Sequence, residues 1–480
     1  MRETHSPYFN FQYCILLLIV SVLLIYRQVI QFDFISLDDN IFVYLNPHIR
    51  NGLTAAAVQW AWTADLLHAS GNVEYWQPVT AISRILDVHF YGLNPAGHHL
   101  TNLLLHGANV LLLFWLLVRG TQTHLQSLVA ALIFAVHPLS VEAVAWVTSR
   151  KDLLSAFFAL WMFHAYIFYA QKKELRFYFY ALIFFVFALL SKPVAICLPV
   201  LLLLFDFWPL ERFENRKSFS GLLKEKIPFL TGSFLMLLIV LFLPYDPEAA
   251  STWSYGSTNT LWTYPLRFGE QLYRFLIPLN LSYYQSHAGQ PVLEWLPVIS
   301  TILVLLLMTV MTFALRKRLK ALITGWLWFL CGLMPLMNSA WAANRFMYFP
   351  IIGLAIMIAW GLQGKSRLIG WLIGAWIALL SAVAFIQTSH WKNDFSLFPY
   401  VLKIDPDNTK AHYVLGMRYY EMGAWNEAFF HFKSAFEVLD EPGPKLRAGR
   451  LMVDTLGRMG QQAMADEYTQ IIQKIKVKGN

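Results

Sequence analysis

The run Cys14-Ile15-Leu16-Leu17-Leu18-Ile19-Val20-Ser21-Val22-Leu23-Leu24-Ile25-Tyr26 extends to Val29 and is followed closely by Ser36-Leu37-Asp38-Asp39-Asn40. As a helix, the segment to Val29 is long enough to cross a bilayer. Two adjacent carboxylates therefore stand where the chain leaves the membrane. Acids at such a place either solvate the helix exit or serve chemistry at the interface. No small-residue cleavage site follows, and many more apolar runs succeed this one, so it reads as a retained anchor rather than a removed signal peptide.

Composition widens that reading to the whole chain. Hydrophobic residues are 57% of the 480 and charged residues only 14%, too little polar surface for a soluble chain of this length. An all-α polytopic membrane protein is expected, with apolar segments near 14–30, 98–118, 127–143, 152–170, 177–191, 194–207, 228–244, 292–314, 321–337, 347–362 and 368–387, about eleven in all. If the first helix runs outward, one set of loops collects Arg119, then Lys172, Lys173 and Arg176, then Arg212, Arg216, Lys217, Lys224 and Lys226. Arg316, Lys317, Arg318 and Lys320 follow in the same set, and then Lys365 and Arg367. Cytoplasmic loops gather Lys and Arg, which places the N-terminus inside. The net charge of +8 then reflects orientation and excludes a nucleic-acid partner. Cys14, Cys197 and Cys331 all sit in apolar runs, with neither disulfide nor zinc spacing.

The opposite face holds the informative residues. A large loop, about 31–97, contains two interfacial helices near Thr54–Trp62 and Val79–Phe90; smaller loops lie near 142–151, 245–291 and 338–346, and the chain after about 388 is also outside. Arg150, Lys151, Lys192, Arg267, Arg274 and Arg345 fall on this face, where cations should be few. An anion at the outer membrane interface, such as the phosphate of a lipid-linked substrate, accounts for them; snorkelling to head groups is the alternative. His98, His99 and Asn102 open a spanning helix, where polar side chains are costly unless they line a polar cavity. The next outer turn, His137-Pro138, Glu142, Trp146 and Ser149-Arg150-Lys151-Asp152, supplies a second cluster able to face Asp38 and Asp39.

After His390 the chain turns polar and helix-forming. Ala411, Leu415-Gly416, Tyr419, Gly423, Ala428, Phe432 and Ala435 reproduce the small/large alternation of a tetratricopeptide repeat (TPR), entered through Asp405-Pro406-Asp407-Asn408. Gly423 and Ala428 recur thirty-seven residues on as Gly460 and Ala465, with the extra residues at Glu441-Pro442-Gly443-Pro444. Two helix pairs are few for a free-standing solenoid, so this tail is expected to lean on the membrane domain or on a protein partner. Domains are expected at 1–390 and 391–480.

These strings together resemble the bacterial relatives of the transmembrane-and-TPR protein O-mannosyltransferases, within the GT-C class of polyprenyl-phosphate-sugar-dependent glycosyltransferases. The matching pieces are Asp38-Asp39, Asn46-Pro47-His48, Trp76-Gln77-Pro78, Gly92-Leu93-Asn94-Pro95 with His98-His99, and His137-Pro138 with Glu142, Arg150 and Asp152. Ser191-Lys192-Pro193, Asp206-Phe207-Trp208-Pro209, Asn344-Arg345-Phe346-Met347-Tyr348-Phe349-Pro350 and Trp391 continue the likeness in order.

The resemblance implies a GT-C-like helical domain and inverting transfer from a polyprenyl-phosphate sugar donor to a hydroxyl of a protein or glycan acceptor at the bilayer surface. Asp38 or Asp39 would be the catalytic base. His98, His99, Glu142, Arg150, Asp152, Lys192, Arg274, Arg345 and Tyr348 would bind substrate. Asn40 stands where relatives often carry a third acid, which weakens the case for a tightly held metal but leaves room for a divalent cation, Mg or Mn, on Asp38 or Asp39 with Asp152. The short tail and compact membrane domain favour a bacterial inner membrane with a periplasmic tail. A transporter or lipid-carrier flippase would instead show internal span repeats and mid-span ionisable residues. A membrane-anchored TPR scaffold would leave the large outer loop unexplained.

Overall fold

In hydrocarbon only the chain itself can satisfy backbone N–H and C=O groups, so apolar runs of this length fold as helices. The computed structural model describes residues 11–63, 76–213, 216–242, 263–283, 295–317, 319–336, 343–364, 366–439 and 442–478, and every regular element among them is helical. In chain order the first helices are α1 (Phe11–Tyr26), α2 (Ala55–Thr63), α3 (Pro78–Tyr91), α4 (Pro95–Thr121), α5 (His124–Val136), α6 (Val141–Ala145), α7 (Arg150–Lys172), α8 (Leu175–Ser191), α9 (Leu198–Phe207) and α10 (Arg216–Phe242). There follow α11 (Thr263–Leu276), α12 (Trp295–Leu315), α13 (Lys320–Leu333), α14 (Ile351–Gly361) and α15 (Arg367–Ser389). The tail is α16 (Asp394–Ile404), α17 (Thr409–Glu421), α18 (Trp425–Val438), α19 (Pro442–Arg458) and α20 (Gln462–Lys478). Tyr75, Arg318, Lys365, Glu441 and most of the expected 245–291 loop lie outside the described residues.

Where they are described, the expected apolar segments fall on helices, but not all of those helices are of spanning length. Among the described residues six helices are long and apolar enough to cross a membrane: Phe11–Gln31, Pro95–Thr121, Val147–Lys172, Ser218–Phe242, Leu296–Leu315 and Arg367–Ser389. The segment expected at 127–143 is a pair, His124–Val136 and Pro138–Ala145, bent by 53°. The bend falls at His137-Pro138, where proline disfavours helical geometry at the residue before it. Leu175–Ser191, Pro193–Phe207, Lys320–Leu336 and Ile351–Gly361 are shorter apolar helices of 10–17 residues. The chain is a multi-pass membrane protein.

Burial divides these helices into inner and outer ones. α4, α5, α7 and α14 supply much of a continuous core, and α12 and α15 turn Leu303, Leu306, Leu307, Leu372 and Leu379 outward as lipid-facing helices do. α13 and α14 approach most closely at Gly325 and Gly353, where a Cβ on either would lie 2.3 Å from the other's carbonyl oxygen; small residues permit such contacts between membrane helices. In the tail, α17 to α20 pack each against the next. Gly423 and Gly460 take positive φ at the ends of α17 and α19, and Ala428 and Ala465 are buried on α18 and α20. Packing does not break at residue 390, because Trp391, Leu397, Phe398, Val401, Val414 and Leu415 join the core of the membrane domain.

Candidate functional site

The segment that follows α1 carries the two expected catalytic acids, and its geometry gives them different environments. Asp39 is fully buried. Its Oδ1 accepts from the Thr148 amide at 2.9 Å and the Thr148 hydroxyl at 2.5 Å, and its Oδ2 from the Ile35 amide at 3.0 Å. Burial pushes its pKa up to about 6, against the opposing pull of those hydrogen bonds. Both oxygens are thus engaged by the protein. Asp38 is only half-buried and lies within electrostatic reach of Arg345 and Lys410.

A second set of expected residues forms a buried knot. Arg150 donates from Nε to Asn102 Oδ1 at 2.8 Å, from one terminal nitrogen to the His98 carbonyl at 2.7 Å, and from the other to Asp87. His98 bonds through Nε2 to the Gly92 carbonyl at 3.0 Å, and His99 to the Asp33 carbonyl at 3.3 Å. Asp87 also accepts from Thr101 at 2.8 Å. All of these are protein partners, so Arg150, His98 and His99 brace α3, α4, α7 and the Asp38 segment against one another.

The remaining candidates gather beside a groove of about 410 Å³, part of it open to solvent. Ala156, Ala159, Leu198, Leu336, Phe349 and Pro350 make its walls apolar, and Asp152 and Lys192 supply charge. Lys192 Nζ meets Asp152 Oδ1 at 2.5 Å, and Arg345 pairs with Glu142. The Phe346 ring lies near both cations, 5.5 Å from Lys192 and 5.4 Å from Arg345, and Arg345 also sits 4.9 Å from the Trp146 ring. Burial works against the Arg345 charge, but Glu142, Asp152 and Asp38 outweigh it and hold the guanidinium pKa above its ordinary value. Glu142 Oε2 and Asp152 Oδ2 are buried and make no hydrogen bond among the described residues. Such acceptors are uncommon in native proteins and costly to leave unmet.

Two expected binding residues have their polar groups engaged by protein partners. Tyr348 lines the groove, while its hydroxyl is turned to His106 Nδ1 at 2.8 Å and Asn109 Nδ2 at 3.1 Å. Arg274 donates to Asn344 Oδ1 at 2.9 Å and pairs with Glu270 at 2.5 Å, which fixes the turn that presents Arg345. A divalent cation does not fit this donor set. Asp39 is held by Thr148 and Ile35, Asp152 and Glu142 each carry a basic partner, and no three His, Cys, Asp or Glu side chains converge among the described residues.

A family model for dolichyl-phosphate-mannose-protein mannosyltransferases matches residues 99–245, the stretch that holds Asn102, Glu142, Arg150, Asp152 and Lys192. Over 90% of its length the chain is 25% identical to the human protein O-mannosyl-transferase TMTC1, and over 88% it is 23% identical to the protein O-mannosyl-transferase F38B6.6 of Caenorhabditis elegans. Over 78% it is 25% identical to mouse protein O-mannosyl-transferase TMTC4. Over most of its length the chain is similar to protein O-mannosyl-transferases. The chain spans 56%, 62% and 59% of the lengths of those three relatives. No solved structure matches it.

Arg84 and Thr148 were not singled out by the sequence. Arg84, buried on α3, donates to the Thr148 carbonyl at 3.1 Å and faces the Phe42 ring at 5.1 Å, so it braces the residue that holds Asp39. Its charge on a helix expected at the outer interface was a usable signal, since cations are expected to be scarce there. Thr148 carried no such mark.

Proposed function

We propose that this chain is a membrane glycosyltransferase that moves a sugar, mannose by analogy with its relatives, from a polyprenyl-phosphate donor to a protein hydroxyl on the non-cytoplasmic face. The observation that carries this reading is the meeting of Lys192, Asp152, Arg345, Glu142 and Asp38 beside an apolar groove. An isoprenoid tail fits the groove walls, and the donor phosphate fits the cations. Asp38 takes the proton of the acceptor hydroxyl as that oxygen bonds to the anomeric carbon. The bond from that carbon to the phosphate oxygen breaks with inversion, and Lys192 and Arg345 stabilise the charge growing on the departing phosphate. Asp152 and Glu142, with one oxygen each unmatched, receive sugar or acceptor hydroxyls. Asp39, Arg150, His98, His99, Tyr348 and Arg274 position this set, and the tail is a short TPR unit on the same side.

Transfer of radiolabelled mannose from polyprenyl-phosphate mannose to acceptor protein by the purified chain tests the reading; no transfer with any polyprenyl-phosphate hexose refutes it. In the same preparation Arg345→Ala should weaken donor affinity at least about tenfold, the worth of one charged hydrogen-bonded contact. Lys should restore only part of it, because an ammonium lacks the planar fork. Unchanged affinity in Arg345→Ala would leave that residue as a partner of Glu142 alone. Orientation has its own check: reporters fused after Lys217 and at the C-terminus should give opposite signals, and equal signals would remove the non-cytoplasmic assignment.

A further inference from the structure

The tail grips the segment that carries Asp38, and it does so with charged side chains. Asp394, the first residue of α16 and 4% exposed, accepts the Ser36 amide on Oδ1 at 2.8 Å and Arg418 Nε on Oδ2 at 2.6 Å. Arg418 reaches on to the Ser36 hydroxyl and, at 3.4 Å, to the Tyr44 hydroxyl, which itself lies 3.1 Å from Ser36 Oγ. Ser36 and Tyr44 stand on either side of Asp38 and Asp39 in sequence, so one guanidinium pins both ends of the acidic segment. A further bond joins the Asp33 amide to the Lys392 carbonyl at 2.9 Å.

The face of α17 that makes this grip is set by helical spacing. Lys410, Val414 and Arg418 recur every four residues and so share one side. Val414 is buried in the membrane-domain core, and Lys410 brings its charge within electrostatic reach of Asp38. Trp391, at the tail's entry, stacks on Trp146 with ring centres 5.9 Å apart, and Arg345 lies 4.9 Å from the same Trp146 ring.

We infer that the C-terminal helical unit is part of the transfer site, with Arg418 and Asp394 as positioning residues that hold Asp38 from outside while Thr148 holds Asp39 from within. The inference rests on the proposed transferase reading for its rate consequence. Its structural content does not depend on that reading. A tail that only tethered an acceptor would leave the Ser36–Tyr44 segment ordered by the membrane domain alone. Here the segment is shared between the two, and displacing a reacting group by about 1 Å costs roughly a hundredfold in rate.

The test uses the full-length purified protein with polyprenyl-phosphate mannose, and compares Arg418→Ala, Asp394→Asn and the milder Tyr44→Phe. The expected result is a fall in kcat of about thirtyfold or more for Arg418→Ala, with donor affinity within twofold and the protein still folded at the assay temperature. Amides of residues 33–44 should exchange with deuterium faster in Arg418→Ala and Asp394→Asn. Tyr44→Phe, which removes a single hydroxyl, should show the same changes in smaller measure. Unaltered kcat in all three variants overturns the inference, as does a loss in which kcat, donor affinity and melting temperature fall together. Should the wild type transfer no sugar at all, the functional reading fails, and the exchange measurement alone decides the grip: unchanged exchange of residues 33–44 in both charge variants refutes it.

Discussion

Asp38→Asn is expected to lower the rate of sugar transfer by roughly 10²–10⁴-fold, the usual worth of a general base, with donor binding and melting temperature unchanged. Asp38 is half-buried, and the isosteric amide keeps the shape of the segment while losing the proton acceptor. Asp39→Asn should behave differently. Its two oxygens serve Thr148 on one side and Ile35 on the other, so an amide must present a donor to a donor, leaving a buried group unmet at a cost of about 1–3 kcal/mol. Burial also raises the Asp39 pKa from 3.8 to about 6. The folded protein therefore holds that proton more tightly than the unfolded chain. This contribution to stability is full below about pH 4 and is lost as pH rises through about 6; Asp39→Asn should remove that slope. Unfolding of both variants across this pH range, with transfer rates at neutral pH, separates the two acids. Full activity in Asp38→Asn would return Asp38 to the solvation of a helix exit.

Of substitutions at Arg150, Lys192, Arg274 and Arg345, Arg150→Met should be the most destabilising. It leaves the buried Asp87 charge without its cation and the buried Asn102 Oδ1 without its donor, and breaking a buried pair from one side typically costs about 3–5 kcal/mol. The double variant Arg150→Met/Asp87→Leu should recover much of the loss, since an apolar replacement of both partners leaves no uncompensated charge. Thermal unfolding of the three proteins, paired with donor titration of whatever remains folded, distinguishes a brace from a phosphate ligand. A stable Arg150→Met with weakened donor affinity would restore Arg150 to the binding set.

Hydropathy by itself settled the helical membrane class, because it depends on sums over many residues that no single contact can overturn. The order of polar strings was enough to suggest the family, and the spacing of Gly423, Ala428, Gly460 and Ala465 marked the paired helices of the tail. The division of labour among the charged residues was not legible in this way. Asp38 and Asp39 are neighbours with one chemistry, and only the arrival of Thr148, more than a hundred residues away, turns one of them into an anchor. Arg150, Lys192, Arg274 and Arg345 looked alike as cations on a face where cations are scarce. Asp87 takes the first, while Asp152 leaves the second beside an apolar groove. Asn344 engages the third, and Glu142 holds the fourth within reach of Asp38. Such pairings are matters of a few ångströms between distant segments, and a buried charge is defined by its partner; that is why the tertiary structure, and not the pattern of residues, separates the braces from the candidates for chemistry.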